Sequence, residues 1–369
     1  MTRFDTRPKS LLWVKGDARR GLTVQPIDIA HECFFDPDKA EQHHGYPDQE
    51  APMNISRRTF LADAARVSTV LFAPKIACAE SKVLRMGSLR AILTITPHFY
   101  DRFAIPGYTT EIITFETPTD GKNAVVTQSV DFGMFGSAAA ILGAAAGEPL
   151  TVIASSGNRG MAVIARKDQL IASIKDLKDH KVAILPGSTQ EIFLMVRLRM
   201  EGLSIKDITP VRVPFGEMHA ALARGDVDAY IGAEPAPGLS IATGEGKLVE
   251  YPYSTPMGTL NTVTCTHEKT LADNPDLVSA FLKMHRRATE FAESHQDEKI
   301  EMSVKKLGAR REGLDFAMSN IELTWRMDAL MIQRVKTYAD HMLEFKQIRT
   351  LPNYATFLSP KINDEIANG

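Results

Sequence analysis

"QSVDFGMFGSAAA" (128–140) and "GDVDAYIGAEPAP" (225–237) share one plan. Each starts as a helix ends, passes through Val-Asp, enters a short strand and leaves through a turn of small residues. A carboxylate at such a junction accepts nearby backbone N–H groups and anchors the turn. That structural role is expected of both Asp131 and Asp228. One copy of the plan per lobe predicts two similar α/β lobes.

The surrounding sequence fits that expectation. "KVLRMGS" (82–88), "YTTEIITF" (108–115), "PLTVIASS" (149–156) and "GMAVIARKD" (160–168) read as strands. "SIKDLKDHKVAILPGSTQEIFLMVRLRMEGL" (173–203) reads as helical turn, strand, loop and helix. "DITPVRVPF" continues as a strand and "GEMHAALARGD" as a helix. Strands alternating with helices predict α/β architecture with mostly parallel pairing. Beyond about residue 268 the chain turns helical. Asn274-Pro275 reads as N-cap and first position, followed by Leu277, Val278, Phe281 and Leu282 at helical spacing. Residues 326–346 form a second amphipathic segment, with Leu330, Val335 and Met342 among its apolar positions.

Upstream lies "MNISRRTFLADAARVSTVLFAPKIACAES" (53–81). Ser56-Arg57-Arg58-Thr59-Phe60-Leu61 matches the twin-arginine export signature, a short interrupted apolar run follows, and Ala77-Cys78-Ala79 is a small-x-small cleavage site. Residues 53–79 are read as a removable signal, which implies export to the periplasm by the twin-arginine machinery. Residues 1–52 are read as a disordered extension from an upstream start choice; His31, Cys33, His43 and His44 there fit no zinc spacing. Lys75 stands where a lipoprotein signal needs a Leu-like residue.

The bulk numbers exclude several classes. Lys and Arg total 43 against 45 Asp and Glu, a net charge of −2 with no basic block, so no nucleic-acid partner is expected. Past the cleavage site Cys265 is the one cysteine, so no internal disulfide forms there. No run of 18 apolar residues follows Ser81, so the processed chain is expected to be soluble. Neither a metal nor a cofactor is expected, and a monomer is.

Four stretches carry a family resemblance in order: "VLRMGS", "AVVTQSVDFGMFGSAAAILGAAAGEPLTVIAS", "LIASIKDLKDHKVAILPGSTQEIFL" and "ALARGDVDAYIGAEPA". Over about residues 83–355 the chain resembles the periplasmic solute-binding proteins of ABC importers, in the nitrate/sulfonate/taurine and thiamine-precursor group. The resemblance implies a two-lobed periplasmic-binding-protein type II fold with a hinge between lobes and a helical C-terminal part. Lobe one would take 83–165 plus 252–369 and lobe two 166–251. The lobes would close on a small-molecule ligand and present it to an ABC permease in the inner membrane.

Ligands of open α/β lobes bind beyond the carboxyl ends of the strands, where helix N-termini point free N–H groups. That directs attention to Ser137 and Ala138 in one lobe and to Ser188 and Thr189 in the other. Ser188 and Glu191 also form a capping-box pattern. The end of the first strand and its loop add Ser88 and Arg90; a guanidinium fits a sulfonate or carboxylate bidentately. Asn158 lies near the first crossover, and Glu234 offers an acceptor to an amine or ring N–H. Related chains often carry an aromatic residue before Glu-Pro, where this one has Ala233. Phe215, Glu217, Tyr251 and Tyr253 are further cleft-edge or hinge candidates. The reading is a binding protein for a small organic anion. The alternative is an enzyme on the same fold, desulfinase-like or thiamine-pyrimidine-synthase-like, for which Cys265 and His267 would supply a thiolate and a base.

Overall fold

A computed structural model describes residues 81–368. The export signal and the extension before it lie outside the described residues. In chain order the strands are β1 (Lys82–Leu89), β2 (Tyr108–Phe115), β3 (Phe132–Gly136), β4 (Leu150–Arg159), β5 (Met161–Arg166), β6 (Lys181–Ile184), β7 (Thr209–Arg212), β8 (Ala229–Ala233), β9 (Gly246–Glu250), β10 (Leu260–His267) and β11 (Ile321–Leu323). The helices used below are α1 (Pro118–Val126), α2 (Ser137–Ala145), α3 (Thr189–Met200), α4 (Met218–Arg224), α5 (Ala236–Ala242), α6 (Glu268–Asp273), α7 (Pro275–Ser294), α8 (Gln296–Leu307), α9 (Leu314–Ser319) and α10 (Ala329–Glu344).

Two sheets result, ordered β11-β4-β10-β3-β1-β2 and β7-β6-β8-β5-β9. β3 and β8 hold the same place in their sheets, each pairing in parallel with β1 or β6 on one side and antiparallel with β10 or β5 on the other. The shared Val-Asp plan therefore marks equivalent strands. Pairing is mixed rather than mostly parallel. β10 runs antiparallel to both β3 and β4, and β5 runs antiparallel to both β8 and β9. Each is inserted from a distant or preceding crossover instead of following a helix.

The sheets change over at Gly160 rather than after residue 165, because β5 pairs with β8 and β9. Arg159 and Gly160 both have positive φ, 62° and 68°. Glycine adopts that conformation freely, whereas a residue with a Cβ does so at a cost. Arg159 is held there on both sides of its backbone: its N–H donates to the Thr259 carbonyl at 2.6 Å, and its own carbonyl accepts from Asn261 Nδ2 at 2.7 Å.

The two aspartates do the same work. Asp131 Oδ2 accepts the Arg85 backbone N–H at 2.8 Å, and Asp228 Oδ2 accepts that of Lys181 at 2.9 Å. Each thereby satisfies an N–H of the adjacent parallel strand. Each also meets a basic side chain: Arg85 Nη2 lies 2.9 Å from Asp131, and His180 Nδ1 lies 3.4 Å from Asp228.

The core explains why helices cover these sheets. α3 buries ten of its twelve residues, the polar Gln190, Glu191 and Arg197 among them, so protein encloses it on nearly every side. It packs on α2 and α10 of the other sheet's layer, with Phe193 edge-on to Tyr338 at 5.5 Å between ring centroids. α10 buries Val335 and Met342, as its periodicity predicts, but Leu330 is exposed. α7 starts at Pro275 and buries Val278, Phe281 and Leu282. Asn274 makes no side-chain cap bond. Among the described residues no helix is long and apolar enough to cross a membrane.

Asp131→Ala and Asp228→Ala are each expected to lower unfolding stability by about 1–3 kcal/mol, the cost of leaving a strand N–H without its charged acceptor. The Asn variants, which keep a carbonyl acceptor, are expected to lose less in chemical denaturation. Equal losses for Asn and Ala would refute the hydrogen-bond explanation.

Candidate functional site

The carboxyl ends of β1, β7 and β8 converge on a cavity of about 340 Å³. Arg90 reaches it from the turn after β1; Phe215 and His219 from the entry to α4; Glu234 and Leu239 from the end of β8 and from α5; and Leu307 and Arg310 from the end of α8 and the turn behind it. The walls are apolar and the arginines stand at the exposed rim. Arg90 Nε donates to Glu116 at 2.6 Å, and Arg310 Nη2 to Glu312 at 3.3 Å. A guanidinium carries five donors, so each keeps several for a ligand.

Glu234 is 2% exposed. Its Oε2 accepts the Gly238 N–H at 2.9 Å and its Oε1 accepts Asn320 Nδ2 at 3.1 Å. Burial pushes its carboxyl above the usual range, while these two donors pull it back. Asn320 also donates to the Met161 carbonyl at 3.1 Å and accepts the Tyr253 hydroxyl at 2.7 Å. Glu234, the acidic residue of the cavity lining, is thus tied to the crossover between the sheets. Tyr251 stacks on Tyr253 with ring centroids 6.0 Å apart, and the Arg159 guanidinium lies 5.7 Å from the Tyr253 ring centre.

Of the residues singled out by sequence, Arg90 and Glu234 meet at this cavity, with Phe215 beside them. The others are used elsewhere. Ser88 is buried and donates to the Thr94 carbonyl at 2.7 Å. Ser137 donates to the Asn261 carbonyl at 2.9 Å, and Thr189 Oγ1 to the same oxygen at 3.1 Å. The Ala138 N–H points to Thr189 Oγ1 at 3.4 Å. The N-termini of α2 and α3 therefore abut each other. Ser188 caps α3, accepting the Glu191 N–H at 3.2 Å; Glu191 returns its carboxylate to the Gly187 N–H at 2.7 Å, not to that of Ser188. Asn158 is half-buried in β4 between β10 and β11, and Glu217 is exposed outside the cavity lining. His219, Arg310, Asn261 and Asn320 were not singled out by sequence. Each gains its role from a segment remote in the chain, and no local pattern marks it.

A model of the NMT1/THI5-like family matches residues 103–299, which is 197 of the 369 residues. The chain belongs to the NMT1/THI5-like family. Two relatives carry the name aliphatic sulfonates-binding protein. The one from Bacillus subtilis is 27% identical over 206 residues, 55% of this chain and 62% of its own length. The one from Escherichia coli is 33% identical over 104 residues, 28% of this chain and 33% of its own. The chain thus spans less than two thirds of either relative. The solved alkanesulfonate-binding protein of Xanthomonas axonopodis pv. citri, bound to MOPS, shares the fold with a TM-score of 0.66 at 19% identity. That match covers 76% of this chain and all of that one. The two-lobed periplasmic-binding-protein fold is therefore that of this family member as well.

Cys265, the one cysteine among the described residues, is not placed to act as a nucleophile. Cys265 is wholly buried in β10 between β3 and β4, and burial pushes its thiol far up. His267 Nδ1 is occupied in accepting the Lys269 N–H at 3.0 Å, as N-cap of α6. Among the described residues there is also no group of three or more His, Cys, Asp or Glu placed to hold a metal ion.

A Cβ at Gly136 would lie 2.8 Å from Thr189 Oγ1. Gly136→Ala is expected to cost about 1–3 kcal/mol by overpacking, and less in a Thr189→Ala background. A denaturation double-mutant cycle showing simple additivity would refute close contact between the two helix ends.

Proposed function

We propose that this chain is an extracytoplasmic solute-binding protein that captures a small organic anion, sulfonate-, nitrate- or taurine-like, and delivers it to the permease of an ABC importer. The observation that carries this reading is the cavity at the strand ends, apolar in its walls and rimmed by Arg90 and Arg310 from separate parts of the fold. An apolar enclosure with a few directed polar groups is the usual form of a small-molecule site. Two rim guanidiniums select for negative charge on the ligand. The names of the relatives support the same ligand class.

On this reading the lobes meet at the Gly160 changeover, one built from 83–160 with 252–369 and the other from 161–251, and they close about the crossovers. Residues 53–79 direct export by the twin-arginine route, the chain works in the periplasm as a monomer, and it performs no chemistry on its ligand. Arg90 and Glu234 are ligand-contacting residues; Ser88, Ser137, Ala138, Asn158, Ser188 and Thr189 contribute by shaping and closing the lobes around them.

Titration calorimetry of the full chain with butanesulfonate is expected to show saturable binding. Arg90→Ala is expected to weaken it about tenfold to a hundredfold, the worth of a hydrogen bond to a charged group. Butanol, with the same carbon chain and no charge, is expected not to bind. Equal binding of the alcohol would overturn the anion reading, and conversion of the bound molecule, seen by mass spectrometry, would favour the enzyme.

A further inference from the structure

One polar chain runs from the second sheet to the cavity wall. Tyr230 in β8 and Ser240 in α5 are fully buried, and the Tyr230 hydroxyl lies 2.8 Å from Ser240 Oγ. Ser240 Oγ in turn lies 3.1 Å from His219 Nδ1, and His219 lines the cavity. The direction of the protons follows from counting them. Ser240 is the one hydrogen-bond partner of the Tyr230 hydroxyl among the described residues. A buried O–H left without an acceptor is costly, and burial pushes the phenol up, so it keeps its proton. Tyr230 therefore donates to Ser240. Ser240 has one proton of its own and gives it to His219 Nδ1. A neutral imidazole that accepts at Nδ1 carries its proton on Nε2. With Nδ1 committed to Ser240, Nε2 is the nitrogen left to face the cavity.

We propose that His219 is a ligand-binding residue whose Nε2–H donates to an acceptor oxygen of the bound molecule, and that Ser240 is the positioning residue that sets this tautomer. The proposal rests on reading the cavity as the ligand site, and it deepens that reading. The opposite tautomer would present a bare nitrogen and welcome a ligand N–H. At this wall that tautomer would leave the buried Ser240 proton without an acceptor, which is costly. Arg90, Arg310 and His219 then form a set that only donates, suited to a head group that only accepts, such as a sulfonate or carboxylate. His219 makes its contribution as a neutral group: burial and, next, the neighbouring Arg310 lower its basicity, while Glu245 raises it. Of the other charged groups at the cavity, Arg90 is a cation and Glu234 is held by Asn320 and Gly238.

Nitrogen-15 NMR of the histidine-labelled full chain, with the His219 signal assigned by its loss in His219→Gln, reads the tautomer directly. The Nε2–H form is expected in wild type, and Ser240→Ala is expected to mix the two forms. In calorimetry with butanesulfonate, His219→Ala is expected to weaken binding about tenfold and Ser240→Ala a few fold. His219→Gln, which restores an N–H donor near the same place, is expected to recover most of the loss. An Nδ1–H tautomer in wild type overturns the proposal, as does unchanged binding by His219→Ala while Arg90→Ala has lost it. The second result leaves the anion reading in place. A wild-type chain that binds no sulfonate or carboxylate overturns both.

Discussion

The structure turns on one buried amide. Asn320 enters at the start of β11 and holds three things together: the first residue of the second sheet through the Met161 carbonyl, the return crossover through the Tyr253 hydroxyl, and the cavity wall through Glu234. Tyr253 Oη also accepts the Met161 N–H at 3.1 Å. Every polar group in this knot has a partner, which is the condition for burying it without a penalty. Because the knot sits where the chain passes between sheets, it ties the placement of Glu234 to the relative setting of the two lobes. A lobe rotation that moves Met161 or Glu234 relative to Asn320 breaks these bonds.

The doubled Val-Asp plan shows how far a repeated sequence carries into structure. Asp131 and Asp228 were expected to anchor a turn, and each instead bonds across to the neighbouring parallel strand. The plan diverges after the strand. Behind β3, Gly136 and Ser137 lead straight into α2, whose end is closed by Thr189 and Asn261. Behind β8, Glu234 and Pro235 lead into α5, whose first turn bonds Glu234 and whose middle carries Ser240. Equivalent strands thus end in unlike surroundings. One end is packed shut by small residues, and the other opens on the cavity.

Strands β1 to β8 were legible because each is a short β-branched or apolar run bounded by turn residues. α7 and α10 were legible from helical spacing. β10 was not read as part of the first sheet, since its partners β3 and β4 lie more than a hundred residues earlier and no local signal announces antiparallel insertion. Within the site, Arg90 and Glu234 stand out because a charge directly after a strand end has few structural uses. The serines Ser137 and Ser188 fit an anion-binding pattern equally well, but whether a helix N-terminus meets a ligand or another helix is decided by packing. His219 and Arg310 meet only because α8 ends beside α4, a fact with no trace in either segment alone.

On the proposed reading, the same packing would let a modest cavity discriminate. Water solvates an anion on all sides, so a site must replace that shell with donors already aimed. Two arginines at an exposed rim supply charge, yet long flexible side chains pay rotamer entropy when they settle. His219 differs. Its ring has two torsions, and the Tyr230–Ser240 pair behind it is buried and fixed. A neutral donor also adds no charge repulsion to the two guanidiniums beside it, whereas a third cation there would. Charge and orientation are thus supplied by different residues. On the proposed reading the rim would draw a negative group to the opening, and the imidazole, braced by the buried Tyr230–Ser240 pair, would restrict how that group sits once inside.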